Sequence, residues 1–136
     1  MNFELPPQAK NELKRLGLEA LYVFGSRAQG LEGPLSDYDF AVLLPQAGHS
    51  RGDALYNELY DILSPLCPRQ LENDVIDIVF LRDAALELRF HVVRYGKVLY
   101  DDAPLERSRF EETTTEEYCD YRPLLNIFDQ ALLASI

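Results

Sequence analysis

The chain has 136 residues with a formal net charge of −10 at neutral pH, 47% apolar and 26% charged residues. That is one domain's worth of an ordinary globular composition, large enough to bury a core without staples. The acid excess argues against a protein that coats nucleic acid, because phosphate backbones attract basic surfaces. A nucleotide site stays open, since bound cations invert local charge. Cys67 and Cys119 are too few for a disulfide framework and lack metal-ligand spacing. The amino terminus shows no signal-peptide pattern, and no apolar run reaches the roughly 18 residues of a membrane span. Cytoplasm with reduced thiols is the expected compartment.

Pro6 and Pro7 introduce a predicted helix over Gln8–Leu16, which Gly17 stops. Glu19–Phe24 reads as a strand ending at Gly25-Ser26, and Ser26–Gln29 can open a short helix. Leu31–Ser36, with Gly33-Pro34, reads as a loop. Tyr38–Leu44 is a second strand, apolar on both faces past its first turn and so predicted to be central. After a turn over Pro45–Ser50, Gly52–Leu63 reads as a helix with Leu55, Leu59, Ile62 and Leu63 on one side. Asn73–Leu81 is a third strand. Asp83 is expected to cap a helix from Ala84 to Tyr95 that Gly96 closes. Lys97–Tyr100 follows as an edge strand, and Pro104 onward is helical with a break or kink at Pro123. Strands alternating with helices predict an α/β domain.

Two features break this apolar logic. Asp37 and Asp39 lie two apart at a strand start, so both side chains leave one face. Asp77 sits inside VIDIVF, among residues that favour burial. If the second and third strands pair, three carboxylates converge. Alone, such a cluster is unfavourable, because like charges raise one another's pKa. Mg²⁺ removes the conflict: it takes oxygen ligands and keeps positions for water and phosphates. Two such ions about 4 Å apart can bind the attacking and leaving oxygens of an in-line displacement. Gly25-Ser26 supplies the complement. At a strand-to-helix turn, outward N–H groups and a glycine let a phosphate approach the chain. The Ser26 hydroxyl can donate to a phosphate oxygen or simply cap the next helix. Arg27 can reach a γ-phosphate or pair with a surface acid.

GSRAQG at 25–30, then SDYDFAVLL at 36–44, resembles the nucleotidyltransferase signature of the DNA polymerase β superfamily, and within it the minimal nucleotidyltransferase (MNT) group. VIDIVFL at 75–81 resembles the third motif, and LELRFHVVRYGKVLY at 86–100 the stretch that commonly follows. The resemblance spans about residues 10–120. It implies an α/β nucleotidyltransferase fold, a mixed twisted sheet with flanking helices and a C-terminal helical segment. It implies transfer of a nucleoside monophosphate from an NTP to a hydroxyl. Gly25 and Ser26, with Arg27 beside them, would hold the nucleotide, and Asp37, Asp39 and Asp77 would be catalytic and hold two Mg²⁺ ions. Members of this group act as antitoxins to a HEPN-domain ribonuclease toxin, and some adenylylate a toxin tyrosine with ATP as donor. That is the expected function here.

The reading has competitors. One is a small-molecule nucleotidyltransferase with an aminoglycoside-like acceptor. Another is an antitoxin that neutralises by binding alone, and a third is a nucleotide sensor. His49 and His91 lack partners at ligand spacing. Tyr56, Tyr60, Tyr95 and Tyr100 read as packing residues, and nothing in their spacing selects one that could stack on a base. Glu111, Glu112, Glu116, Glu117 and Asp120 read as a solvated face or as a surface that steers a basic partner. Residues 1–136 are expected to form one domain. Its C-terminal helix, about 104–136, carries Leu124, Leu125, Ile127, Phe128, Leu132, Leu133 and Ile136, and would pack on the domain or on a partner.

Overall fold

The structure, a computed structural model, describes residues 4–25, 38–67 and 76–134, with 122–134 as backbone only. The elements are α1 (Pro7–Arg15), β1 (Ala20–Phe24), β2 (Tyr38–Leu43), α2 (Ala54–Leu63), β3 (Ile76–Phe80), α3 (Leu86–Tyr95), β4 (Lys97–Asp101) and α4 (Pro104–Ala134). Short 3₁₀ turns at Ser64–Leu66 and Leu81–Asp83 follow α2 and β3. The four strands form one mixed sheet in the order β3-β2-β1-β4. β1 is antiparallel to β2 and β4, while β2 and β3 are parallel. The fold is therefore the α/β arrangement expected, with β2 central and β4 at an edge.

Alternation along the strands divides the core in two. Leu21, Val23, Phe40, Val42, Ile78 and Phe80 meet Leu13, Leu59 and Leu63 of α1 and α2. Ala20, Tyr22, Phe24, Ala41 and Leu43 face the other way, against Val92 of α3 and Phe110 of α4. Helices thus cover both faces, which is why β1 and β2 are apolar on both sides.

Polar contacts fasten α4 to the sheet. The buried Tyr22 hydroxyl donates to Glu111 Oε1 at 2.8 Å. Arg107 donates to the same oxygen at 2.9 Å and to Asp101 Oδ2 at 2.8 Å. Burial first, and then the Glu111 carboxylate, pushes the Tyr22 hydroxyl far above the usual phenol range. Arg89 pairs with Glu117 at 3.5 Å, and Phe90 stacks on Tyr118 at 3.9 Å, clasping α3 to α4. Glu111 and Glu117 are therefore structural partners rather than members of a uniformly solvated acidic face.

Several expectations need correction. The third helix starts at Leu86, and Asp83 does not cap it. The Asp83 carboxylate instead accepts from the N–H groups of Gly48 at 2.8 Å and His49 at 3.2 Å, pinning the loop after β2. Gly96 ends α3 in extended, not left-handed, backbone. A Cβ there would lie 2.5 Å from the Val92 carbonyl oxygen, so glycine is required for a close approach. α4 is not broken at Pro123; it runs through it as a 31-residue helix. One proline removes one ladder hydrogen bond, which long helical segments on both sides can offset. The calls on Ser26–Gln29, Leu31–Ser36 and residues 73–75 fall outside the described residues, as do the side chains of the apolar C-terminal stretch. Neither cysteine forms a disulfide among the described residues. Among those residues no helix is long and apolar enough to cross a membrane.

The start of α2 gives a pH-dependent prediction. Asp53 caps it, accepting from the Tyr56 N–H at 2.8 Å. That bond, more than the weaker contacts with Ser50 and His49, holds the carboxyl below its usual range. A depressed folded pKa gives stability that is complete above the unfolded value, about 3.9, and vanishes as pH falls through the folded one. Asp53→Ala is expected to melt below the unsubstituted protein at pH 7. The gap should close in the acid range below the normal aspartate pKa, as read by circular dichroism melts across pH.

Candidate active site

The candidate site lies where β1 ends and β2 and β3 begin. In the parallel β2–β3 pair, Asp39 is the direct Cα partner of Asp77. Residues paired this way project from the same face, on strands about 4.8 Å apart. The face is the one that carries Ala41 and Leu43, covered farther along by α3 and α4. The carboxylates lie at the end of that face where β2 and β3 begin. Both residues are half-buried.

Phe24, the last residue of β1, is the Cα partner of Asp39 on the other side. Gly25 follows with φ +76°, a region that L side chains rarely adopt. A Cβ at Gly25 would stand 2.6 Å from Asp39 Oδ2. Glycine is thus needed twice here, for the turn and for the carboxylate lying against it. Asp77 Oδ1 accepts from the Ile78 N–H at 3.0 Å. Arg51 Nη1 lies 4.0 Å from the same oxygen. Arg51 is 71% exposed, so water screens this pairing strongly.

The structure therefore brings together three of the six residues singled out in the sequence: Gly25, Asp39 and Asp77. Ser26, Arg27 and Asp37 lie outside the described residues. Arg51 was not singled out; it sits in a polar loop and only the fold carries it to Asp77. His91 was set aside for want of a partner at ligand spacing. Its ring packs edge-on against Phe24, with centroids 6.2 Å apart. His49 lies at the other end of the strands, 3.4 Å from Asp53 and stacked on Phe80.

The donor set fits a magnesium ion. Two carboxylates in register on one face repel each other unless a cation lies between or beside them. Hard oxygen ligands are what Mg²⁺ takes. Among the described residues no group of three or more His, Cys, Asp or Glu side chains gathers at one point. Asp37, the third carboxylate read from the sequence, lies outside them.

A cavity of about 430 Å³ lies elsewhere, beside Arg82, Arg89, Arg109, Phe110 and Thr113. Its guanidinium groups are matched by acids: Arg82 to Glu19 at 3.3 Å, Arg89 to Glu117 at 3.5 Å and Arg109 to Glu106 at 3.8 Å. It shares no residue with the carboxylate pair.

Residues 8–104 match the family model described as polymerase beta, nucleotidyltransferase. The protein adenylyltransferase MntA of Aphanizomenon flos-aquae is 33% identical over 101 residues, which is 70% of this chain and 65% of that relative. The matched region therefore spans slightly less than two thirds of the relative's length. A chain of a toxin–antitoxin crystal structure with AMP-PNP is 26% identical, with a TM-score of 0.68 over 94% of this chain and 99% of its own. A chain from the complex of a tri-AMPylated Shewanella oneidensis HEPN toxin with its MNT antitoxin has a TM-score of 0.60 at 23% identity, over 92% and 97% of the two chains. That last likeness is one of fold.

The tight packing of Gly25 on Asp39 can be measured. Gly25→Ala is expected to cost about 1–2 kcal/mol from left-handed backbone strain plus crowding. In an Asp39→Ala background the same substitution should cost at least ~0.5 kcal/mol less, because the crowded carboxylate is gone. A double-mutant cycle by urea denaturation checks this. Strict additivity would mean that the two groups do not press on each other.

Proposed function

The chain belongs to the polymerase beta nucleotidyltransferase family, and on that premise we propose that it is a Mg²⁺-dependent adenylyltransferase that modifies a tyrosine of a HEPN ribonuclease toxin and so acts as its antitoxin. The observation that carries this reading is the register of Asp39 with Asp77, one face of the sheet, beside the Gly25 turn. Similarity to MntA supports the activity, and similarity to a toxin–antitoxin structure with AMP-PNP supports the nucleotide.

Each residue then has a task. Gly25, Ser26 and Arg27 hold the triphosphate, with backbone N–H groups and the Ser26 hydroxyl on its oxygens. Asp37, Asp39 and Asp77 would hold the magnesium ions, which when bound neutralise the phosphate charge and polarise the reacting oxygens. The tyrosine oxygen forms a bond to the α-phosphorus as the α–β bridging bond breaks and pyrophosphate leaves. The tyrosine proton passes to the Asp77 carboxylate. Asp77 lies on β3, an edge strand of the described sheet. Catalysis rests on positioning and charge neutralisation.

The test combines the purified protein, its HEPN partner, α-labelled ATP and Mg²⁺, with mass spectrometry of the partner. Label on a tyrosine is expected. Asp39→Asn and Asp77→Asn should each reduce the rate by roughly 10²–10³, the order for loss of one preorganised charge-stabilising group. Unlabelled partner that is still neutralised by the Asp39→Asn protein would replace this reading with plain binding. Transfer to small alcohols or aminoglycosides without the partner would favour a small-molecule acceptor.

A further inference from the structure

Four tyrosines in the middle of the chain look alike in sequence, but the fold separates them. Tyr56 and Tyr100 are each 8% exposed and belong to the core, and Tyr60 packs against it. Tyr95 is 50% exposed and belongs to neither core cluster. It is the last residue of α3. Its ring lies 5.1 Å from His91, at 49°. His91 in turn meets Phe24 edge-on at 6.2 Å. Phe24 precedes Gly25 and is the Cα partner of Asp39. A run of three rings thus leads from beside the catalytic carboxylate out to solvent, on the face where Asp39 and Asp77 project.

We propose that Tyr95, backed by His91, is the surface on which the purine base of the donor nucleotide stacks. This deepens the nucleotidyltransferase reading and rests on it. The strand order decides which substrate the rings face. Asp77 lies on β3, Asp39 on β2, and Phe24 with Gly25 on β1. In the mechanism proposed above, Asp77 of β3 takes the acceptor's proton and the Gly25 turn of β1 holds the triphosphate. The rings touch β1, so they stand on the donor side. A half-exposed phenol ring offers a flat face that a base can cover. The Arg94 guanidinium, 5.9 Å from the ring, adds positive charge at the edge of cation–π range. Stacking reads area, not hydrogen-bond pattern. The site should therefore prefer ATP and GTP to CTP and UTP and discriminate weakly between the two purines.

The chain contains no tryptophan, so Tyr95→Trp introduces a single one, whose emission can be excited selectively over the remaining tyrosines. Titration with AMP-PNP and Mg²⁺ is expected to quench it, whereas inorganic tripolyphosphate, which has no base, leaves it bright. By calorimetry, Tyr95→Ala should weaken AMP-PNP binding about ten-fold, the order for losing one base–aromatic stack, and leave tripolyphosphate affinity unchanged. Tyr95→Phe should bind like the unsubstituted protein. Undiminished AMP-PNP affinity in the alanine variant, or an equal loss for both ligands, overturns the proposal while AMP transfer by the unsubstituted protein stands. If the unsubstituted protein binds neither ligand, nucleotidyl transfer itself falls and the stacking surface with it.

Discussion

The function proposed for this molecule depends on one pairing. β2 and β3 run parallel in a register that sets Asp39 beside Asp77. A slip of one residue would turn one carboxylate to the opposite face, where α1 and α2 pack. Burial holds the register. Phe40 and Val42 on β2, with Ile78 and Phe80 on β3, must all reach the same apolar layer, and any shift would expose them. The core on one face thereby sets the geometry of the charges on the other.

That geometry is unfavourable without a counter-charge. Arg51 reaches one Asp77 oxygen only at 4.0 Å and from solvent. Under the proposed function Mg²⁺ would supply that counter-charge, and a triphosphate would bring negative charge for the same ions to neutralise. Gly25 joins the two halves, since its backbone conformation forms the turn and its missing side chain lets Asp39 lie against it.

The rest of the fold limits where chemistry can happen. α3 and α4 cover the carboxylate-bearing face only in part, held there by Val92, Phe110 and the Tyr22–Glu111–Arg107 contacts. Asp39 and Asp77 project from the end of that face where β2 and β3 begin. α3 closes beside it, and so brings His91 and Tyr95 to its border. Elsewhere on these helices charged groups pair with one another, as around the arginine-lined cavity.

Local chemistry made much of this legible from residues alone. Alternation and turn residues marked β1, β2, α1 and α2 within a residue or two, and the two-sided apolar character of Tyr38–Leu44 marked a central strand. Asp77 was visible because a carboxylate amid β-branched residues has no packing reason to be there, and Asp39 because it stands two from Asp37 at a strand start after a Gly-Ser turn. What depends on contacts between distant segments was not legible. Asp83 suited a helix cap, yet its partners are Gly48 and His49, some 34 residues away. Gly96 suited a left-handed cap, yet it is glycine because Val92's carbonyl lies where a Cβ would be. Pro123 suited a break, yet α4 continues through it. Arg51, His91 and Tyr95 carry no signal of their own; only the packing of their elements brings Arg51 to Asp77 and the two rings in line with Phe24. Sequence alone determined which side chains could do chemistry, because residue type and local pattern are properties of short segments. Tertiary structure decided which of them share a face, because register and helix placement follow from burying the whole core at once.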